Sequence, residues 1–446
     1  MLTSEERRTI TALLEAAGES QRDWSAAYRM FSRDIWSSTD VFARMVPSIL
    51  SLQPTSDRIV ASLDDTNLRK TGAHIPGVAY RRDPMSPPFH VNFIRAQRFV
   101  QTSLVVPFTQ GPSASRAIPV GFDHAPSAGK LKKDASDDEK ARHRKEEQQR
   151  ALTTYGITAM DRLRVSLDAS GAGQKPLLMA VDGSYTNQKM IKALPERTDL
   201  IGRIRKDAAL HHLPDEAGQV GRPASYGRAI TPEGVRQDDT IAWRTVKIFG
   251  TGRIHDCDLK EVTPLLWRKT GAHRQLRLIV IRPLAYRRSS KSRLLYRQPA
   301  YLITSDLTSP AQELVQAYFW RWDIEVNHRD EKQLIGVADA QVRSPKSVER
   351  VPAFAVACYS LLLISAAKAF GIAAADPVID LPKWQIKASK PVRLSTRHLL
   401  RRLRDEHDHA QIERINFEHF ASNVARTMKS PKHAVSFHHA LEIAFN

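Results

Sequence analysis

Apolar and polar positions change their period along the chain, and the period assigns the elements. Residues 1–52 carry helical spacing. Ser4 is placed to cap a helix running through Ala17 and stopped by Gly18, and two more helical stretches cover 21–31 and 39–52. Strand-like runs follow. Segment 58–64 (RIVASLD) is apolar and ends on an acid, while 93–108 and 117–122 are rich in β-branched and aromatic residues. The highly charged segment 134–163 reads as one long helix. Segment 176–182 (PLLMAVD) is a second buried strand ending on an acid, followed by a short helix at 186–194 and a strand at 200–205. This order predicts an α/β protein built on a mixed sheet with flanking helices.

Residues 208–308 break the pattern. They hold short β-like runs at 240–249, 275–282 and 299–304 between turn residues, and so read as a β-rich insertion. Helical spacing resumes at 309, runs through 337 and is followed by an apolar helix at 352–370. Its apolar run of 15 residues, 353–367, is shorter than the roughly 20 needed to span a bilayer, so a buried core helix is expected and no membrane. A Pro-punctuated linker then leads into the C-terminal region. The domain reading is 1–52 helical, 53–207 with 309–370 as the core, 208–308 as the insertion and 371–446 as a basic C-terminal region.

Charge changes this picture. The chain carries 67 basic and 48 acidic residues, a net +19 over 446 residues. Segment 262–305 holds ten basic residues and no acid, among them Arg287, Arg288 and Lys291; segment 383–404 holds eight and no acid. The rest is close to neutral, and residues 1–52 have six basic against seven acidic residues. Tracts without internal counter-charge point to an external polyanion, with nucleic acid favoured over an anionic membrane surface because no amphipathic helix with an aromatic face accompanies them. Two cysteines, Cys257 and Cys358, make neither a disulfide framework nor a zinc cluster, so a reducing, cytoplasmic setting is expected.

The chemistry lies in three acids. Asp64 and Asp182 end apolar strands that one sheet could bring side by side. Asp65 is the alternative to Asp64, but alternation groups Val60, Ser62 and Asp64 on one strand face. Glu325 lies in YFWRWDIEVNHRDEK, where Tyr318, Arg321, Glu325, Arg329 and Lys332 fall on one helical stripe. Carboxylates converging on one point repel unless divalent cations sit between them, and oxygen ligands favour Mg²⁺ or Mn²⁺. Two such ions support phosphodiester displacement, and flanking cations hold phosphates. Trp320 and Trp322 are expected to pack in the core, and His328 is within reach of the site.

The spacing Tyr318-two-Arg321-three-Glu325-six-Lys332 resembles, without a gap, the Y-(2)-R-(3)-E-(6)-K signature of insertion-sequence DDE transposases. LDDTNLRKTG (63–72) is similar to that group's first-aspartate segment, with Asp64 and Thr66 in its Asp-x-Thr. MAVDGSY (179–185) is similar to its second, with the aromatic one place later at Tyr185. The spacings of 118 and 143 residues suit members carrying a β-rich insertion. The resemblance covers about residues 55–370. It implies an RNase H-like core with Asp64, Asp182 and Glu325 as catalytic metal ligands, two Mg²⁺ ions replaceable by Mn²⁺, and Tyr318, Arg321, Arg329 and Lys332 handling DNA. It also implies double-stranded DNA partners, both transposon ends and target, and a homodimer or larger assembly on DNA. The rival expectations are a stand-alone nuclease on the same core and a catalytically inactive DNA-binding protein.

Overall fold

The computed structural model describes residues 1–446 except 5, 55–57, 73, 88, 215–223, 271–273, 288–291, 374–393 and 415–446. Three helices, α1 (Ile10–Ala16), α2 (Ser25–Ser32) and α3 (Ser38–Leu50), precede the strands β1 (Ile59–Arg69), β2 (Ala79–Arg82), β3 (Phe93–Pro107) and β4 (Ser115–His124). Then come α4 (Asp137–Gln149), α5 (Leu152–Leu167), β5 (Leu177–Val181), α6 (Gln188–Lys192) and β6 (Thr198–Arg203). Segment 208–308 contributes β7 (Leu210–His211), β8 (Ala229–Ile230), α7 (Pro232–Gln237), β9 (Arg244–Gly250) and β10 (Arg253–Trp267). It continues with β11 (Leu276–Ile281), β12 (Ala285–Tyr286), β13 (Leu295–Tyr296) and β14 (Ala300–Thr304). The chain closes with α8 (Ala311–Trp320), α9 (Trp322–Asp330), α10 (Pro345–Phe370) and α11 (Thr396–Arg414).

β4, β3 and β1 run antiparallel to one another, and β5 and then β6 lie parallel beyond β1. This is the mixed α/β sheet expected of an RNase H-like core. β14 pairs with β6, and β11, β10 and β9 continue from it, so the strands of 208–308 extend the core sheet rather than forming one apart from it. β1 and β5 read as unbroken apolar runs because both sheet faces are covered. Ala61, Leu63, Met179 and Val181 meet the side covered by α3, α5 and α10; Val60, Leu178 and Ala180 meet Ala311, Leu314 and Val315 of α8.

α10 is long and apolar enough to cross a membrane, yet most of it is buried against β4 and α3, as a core helix. α2 also packs on it, with Phe31 edge-on to Phe354. α11 sends Leu399, Leu400 and Leu403 into the same core.

Several elements differ from the sequence reading. α1 starts at Ile10 with Thr9 as its cap, not at Ser4. Ser4 is buried, and its carbonyl accepts Arg404 Nη2 at 2.9 Å. The single helix expected over 134–163 is two, because Ala151 turns extended between them. α4 buries nothing and stays in solvent, while α5 buries Ala159, Met160, Leu163 and Leu167 against the sheet. β10 went unread because its charged side chains face β9 and β11 partners, as in Lys247–Asp256 and Arg277–Glu261.

Candidate active site

β1 does not stop at Asp64. Its ladder with β3 continues to the pair Arg69↔Ala96, whereas its parallel partner β5 ends at Val181, opposite Leu63. Asp64 therefore lies where one side of β1 loses its partner strand, and the next residue on the partner side is Asp182. Adjacent parallel strands thus bring the two acids to one sheet edge. Val181 and Leu63 are fully buried and fix that register.

The turn after β5 is built around Asp182. Its Oδ1 accepts the backbone N–H of Ser184 at 2.9 Å and its Oδ2 the Ser184 hydroxyl at 3.2 Å. Tyr185 then packs fully buried against Gly156 of α5, where a Cβ would stand 2.7 Å from the ring. The aromatic one place late in its segment thus anchors the turn that presents Asp182.

Arg321, at the junction of α8 and α9, reaches both remaining acids. Its Nη1 donates to Asp64 Oδ2 at 3.3 Å and its Nη2 to Glu325 Oε1 at 2.8 Å, with the guanidinium over the Tyr318 ring at 5.7 Å. Burial and the charge of Asp182 push the Asp64 carboxyl up to about 7, against the pull of Arg321. Lys332 bears electrostatically on Asp64 and Asp65 from the turn after α9. Tyr318, Arg321, Glu325 and Lys332 thus gather at the acids.

Arg329 does not join them. It is exposed and donates to Asp330 at 2.9 Å, and Asp330 is held by the Thr396 hydroxyl at 2.6 Å. Asp65 takes the opposite face of β1 from Asp64 but stays near the acids, where Arg98, Asp182, Arg81 and Lys332 all bear on it. Arg287 lies beside the two-stranded β12–β13 hairpin and donates to the Ser292 carbonyl; Arg288 and Lys291 lie outside the described residues. Trp320 is half-buried and donates to the Ser113 carbonyl at 2.7 Å, but Trp322 stands exposed rather than in the core. It follows Arg321 by one residue, which turns it about 100° away.

The acid-free tracts do meet counter-charge in space. Arg277 and Arg282 of the insertion tract pair with Glu261 and Asp258, contributed by β10 just outside it. In the C-terminal tract Arg402 pairs with Glu406. Counter-charge missing along the sequence is partly supplied in space.

Of two further groups near the acids, Lys70 is the lysine of a Lys-x-Gly element in segment 63–72, whereas Glu331 was not singled out by sequence. Lys70, buried at the end of β1, donates to the carbonyls of Ala338 at 3.0 Å and Ala340 at 2.7 Å, tying the Asp64 strand to the segment after α9. Glu331 is fully buried and burial pushes it up to about 8. Ile324, His328, Glu331 and Ile335 form the buried stripe of this helical segment, so the 3–4 spacing could have placed Glu331 inside. His328 shares that stripe, and burial lowers it to about 3, so it stays neutral.

The donor set of Asp64, Asp182 and Glu325 is all oxygen, which suits Mg²⁺ or Mn²⁺. The raised Asp64 carboxyl reflects burial first and the charge of Asp182 second, and a divalent cation between the acids would offset both. Among the described residues no three His, Cys, Asp or Glu side chains already stand as a metal-binding group, and it is Arg321 that links Asp64 to Glu325.

A comparison with curated proteins finds no match. A comparison with protein families matches residues 1–274 to the DDE superfamily endonucleases. The matched segment holds Asp64 and Asp182 and ends before the helix that carries Glu325. With more than half of the chain matched and the mixed sheet in place beneath two adjoining aspartates, the chain belongs to the DDE superfamily endonuclease family.

Proposed function

We propose that the chain is a DNA transposase of an insertion sequence, cutting DNA at its terminal inverted repeats and joining the freed 3′-hydroxyl ends to target DNA. The observation that carries this reading is Arg321 joining Asp64 to Glu325, with the charge of Asp182 bearing on Asp64 and with Tyr318 and Lys332 of the same signature beside them. When bound, two Mg²⁺ ions (or Mn²⁺) supply Lewis-acid stabilisation of the attacking and leaving oxygens of the phosphodiester.

The chain's own groups divide the remaining work. Asp64, Asp182 and Glu325 would hold the cations. The Ser184 turn and buried Tyr185 fix Asp182, and Lys70 fixes the strand of Asp64. Arg321 and Lys332 neutralise the scissile phosphate. A groove of about 1090 Å³ opens from Gly183, next to Asp182, past Arg203, Lys206 and Arg236 to Trp267, which supports a DNA path across the start of the insertion. The basic run around Arg287, Arg288 and Lys291 adds phosphate contacts, and a homodimer or larger assembly pairs two ends.

The test incubates the protein with duplexes taken from the DNA flanking its gene, with Mg²⁺ and a target plasmid. Site-specific cleavage and joined products are expected, and both vanish in Glu325→Ala while DNA binding without metal persists. Cleavage with no joined product would reduce the assignment to a nuclease. Undiminished cleavage by Glu325→Ala would place the site elsewhere.

A further inference from the structure

The three most exposed large apolar side chains among the described residues, Phe89 at 90%, Met85 at 86% and Tyr80 at 74%, all lie on the β2–β3 hairpin and its loop. Described residues of the loop are tied together by their own polar groups. The Asp83 carboxylate accepts the Met85 N–H at 3.0 Å and the Arg69 guanidinium at 2.7 Å. The Ser86 hydroxyl accepts the Asn92 N–H at 2.9 Å, and the backbone N–H of Asp83 donates to the Asn92 carbonyl at 2.8 Å. Asp83 is thus buried while Met85 and Phe89 stand in solvent, an exposure of large apolar groups that water alone does not favour.

The surroundings are basic. Residues 66–100 hold Arg69, Lys70, Arg81, Arg82, Arg95 and Arg98 against the single acid Asp83, which Arg69 already pairs. The root of the hairpin is beside the catalytic edge, since Arg81 and Arg98 both bear on the carboxylate of Asp65. Along β3 the chain runs from Gln101, opposite Asp64, back to Phe93, opposite Arg82. That places the base of the loop carrying Met85 and Phe89 roughly 27 Å away at about 3.4 Å per residue, close to eight steps of about 3.4 Å along a DNA strand.

We propose that the β2–β3 hairpin is a DNA wedge: Arg81, Arg82 and Arg95 hold phosphates, and Met85 and Phe89 insert between base pairs roughly eight steps from the scissile phosphate. The proposal rests on the nuclease reading above for its substrate. Charge decides the occupant. A basic stalk ending in apolar tips matches a duplex that offers phosphates outside and stacked bases within, whereas a second copy of this chain, itself strongly positive, would be repelled.

The experiment uses the full chain and duplexes from the flanking DNA in which its Mg²⁺-dependent cut has been mapped. 2-Aminopurine is placed at each position from the cut outward, with Ca²⁺ replacing Mg²⁺ during binding. Fluorescence is expected to rise at least about threefold at one or two adjacent positions, about six to ten steps from the cut, as the base unstacks. The double variant Met85→Ser/Phe89→Ser should lose that signal while keeping its thermal unfolding midpoint and its Mg²⁺-dependent cut on a substrate already unpaired at that position. A wild-type complex that cuts but shows no unstacking anywhere overturns the wedge and leaves the nuclease reading intact. A protein that cuts none of the duplexes overturns the nuclease reading instead. A double variant that keeps the fluorescence signal but changes from dimer to monomer by light scattering assigns the tip to a protein contact and also overturns the wedge.

Discussion

Replacing Asp64 with Asn should abolish cleavage and stabilise the fold, by an amount that depends on pH. The side chain is mostly buried, and burial with the charge of Asp182 holds its carboxyl at about 7 rather than the 3.8 of a free aspartate. The folded state therefore binds the proton more tightly than the unfolded state. The favourable contribution of the neutral acid is complete below the unfolded value and is lost as pH rises toward 7. A difference of about three units at roughly 1.4 kcal/mol each is about 4 kcal/mol by about pH 8, and only about 1 kcal/mol near pH 4.5. Asn copies the shape of the neutral acid and does not titrate. Urea unfolding of both proteins in EDTA should give stability curves that converge in acid and separate by several kcal/mol in base. Mn²⁺ should then close the gap by stabilising the wild type alone, because only the wild type keeps the full ligand set. A gap that stays constant with pH, or an Asn variant less stable at pH 8, would refute the claim that Asp64 is held against its own ionisation.

The neighbouring residues give sharper contrasts. Asp65→Ala should keep substantial cleavage, since Asp64 and not Asp65 is the acid that Arg321 joins to Glu325; an inactive Asp65→Ala beside an active Asp64→Ala would move the ligand by one position. Arg321→Ala leaves Asp64 and Glu325 without their shared cation. It should destabilise the protein by about 2–4 kcal/mol near pH 8, lower cleavage, and tighten Mn²⁺ binding measured calorimetrically without DNA, because the guanidinium no longer competes for the same oxygens. Weaker Mn²⁺ binding would show instead that Arg321 arranges those oxygens. Glu331→Gln should retain cleavage and gain stability as pH rises from the ordinary glutamate range toward 8, since burial raises Glu331 and its neutral form is the folded one; equal pH profiles for the two proteins would count against a neutral Glu331.

The strands of the core were legible in the sequence because both faces are buried, so Leu177–Val181 needed only an unbroken apolar run to announce itself. The Tyr318–Lys332 signature was legible because helical phase is local, and the near-helical junction at Arg321 carries that phase from α8 into α9. Arg329 marks the limit of that rule. It is in phase with Glu325, yet its neighbour Asp330, fixed from α11 by Thr396, draws it away. Only the tertiary structure decided that Ser4 docks on Arg404 instead of capping a helix, and that Glu261 and Asp258 neutralise arginines of a tract that looks acid-free. It alone decided that Asp64 stands mid-strand on one side and at an edge on the other. Periodicity fixes which face a residue takes within its own element. Register, ion pairing and burial depend on partners from other elements, such as Ala338 and Ala340 for Lys70, and no local pattern encodes where folding will bring them.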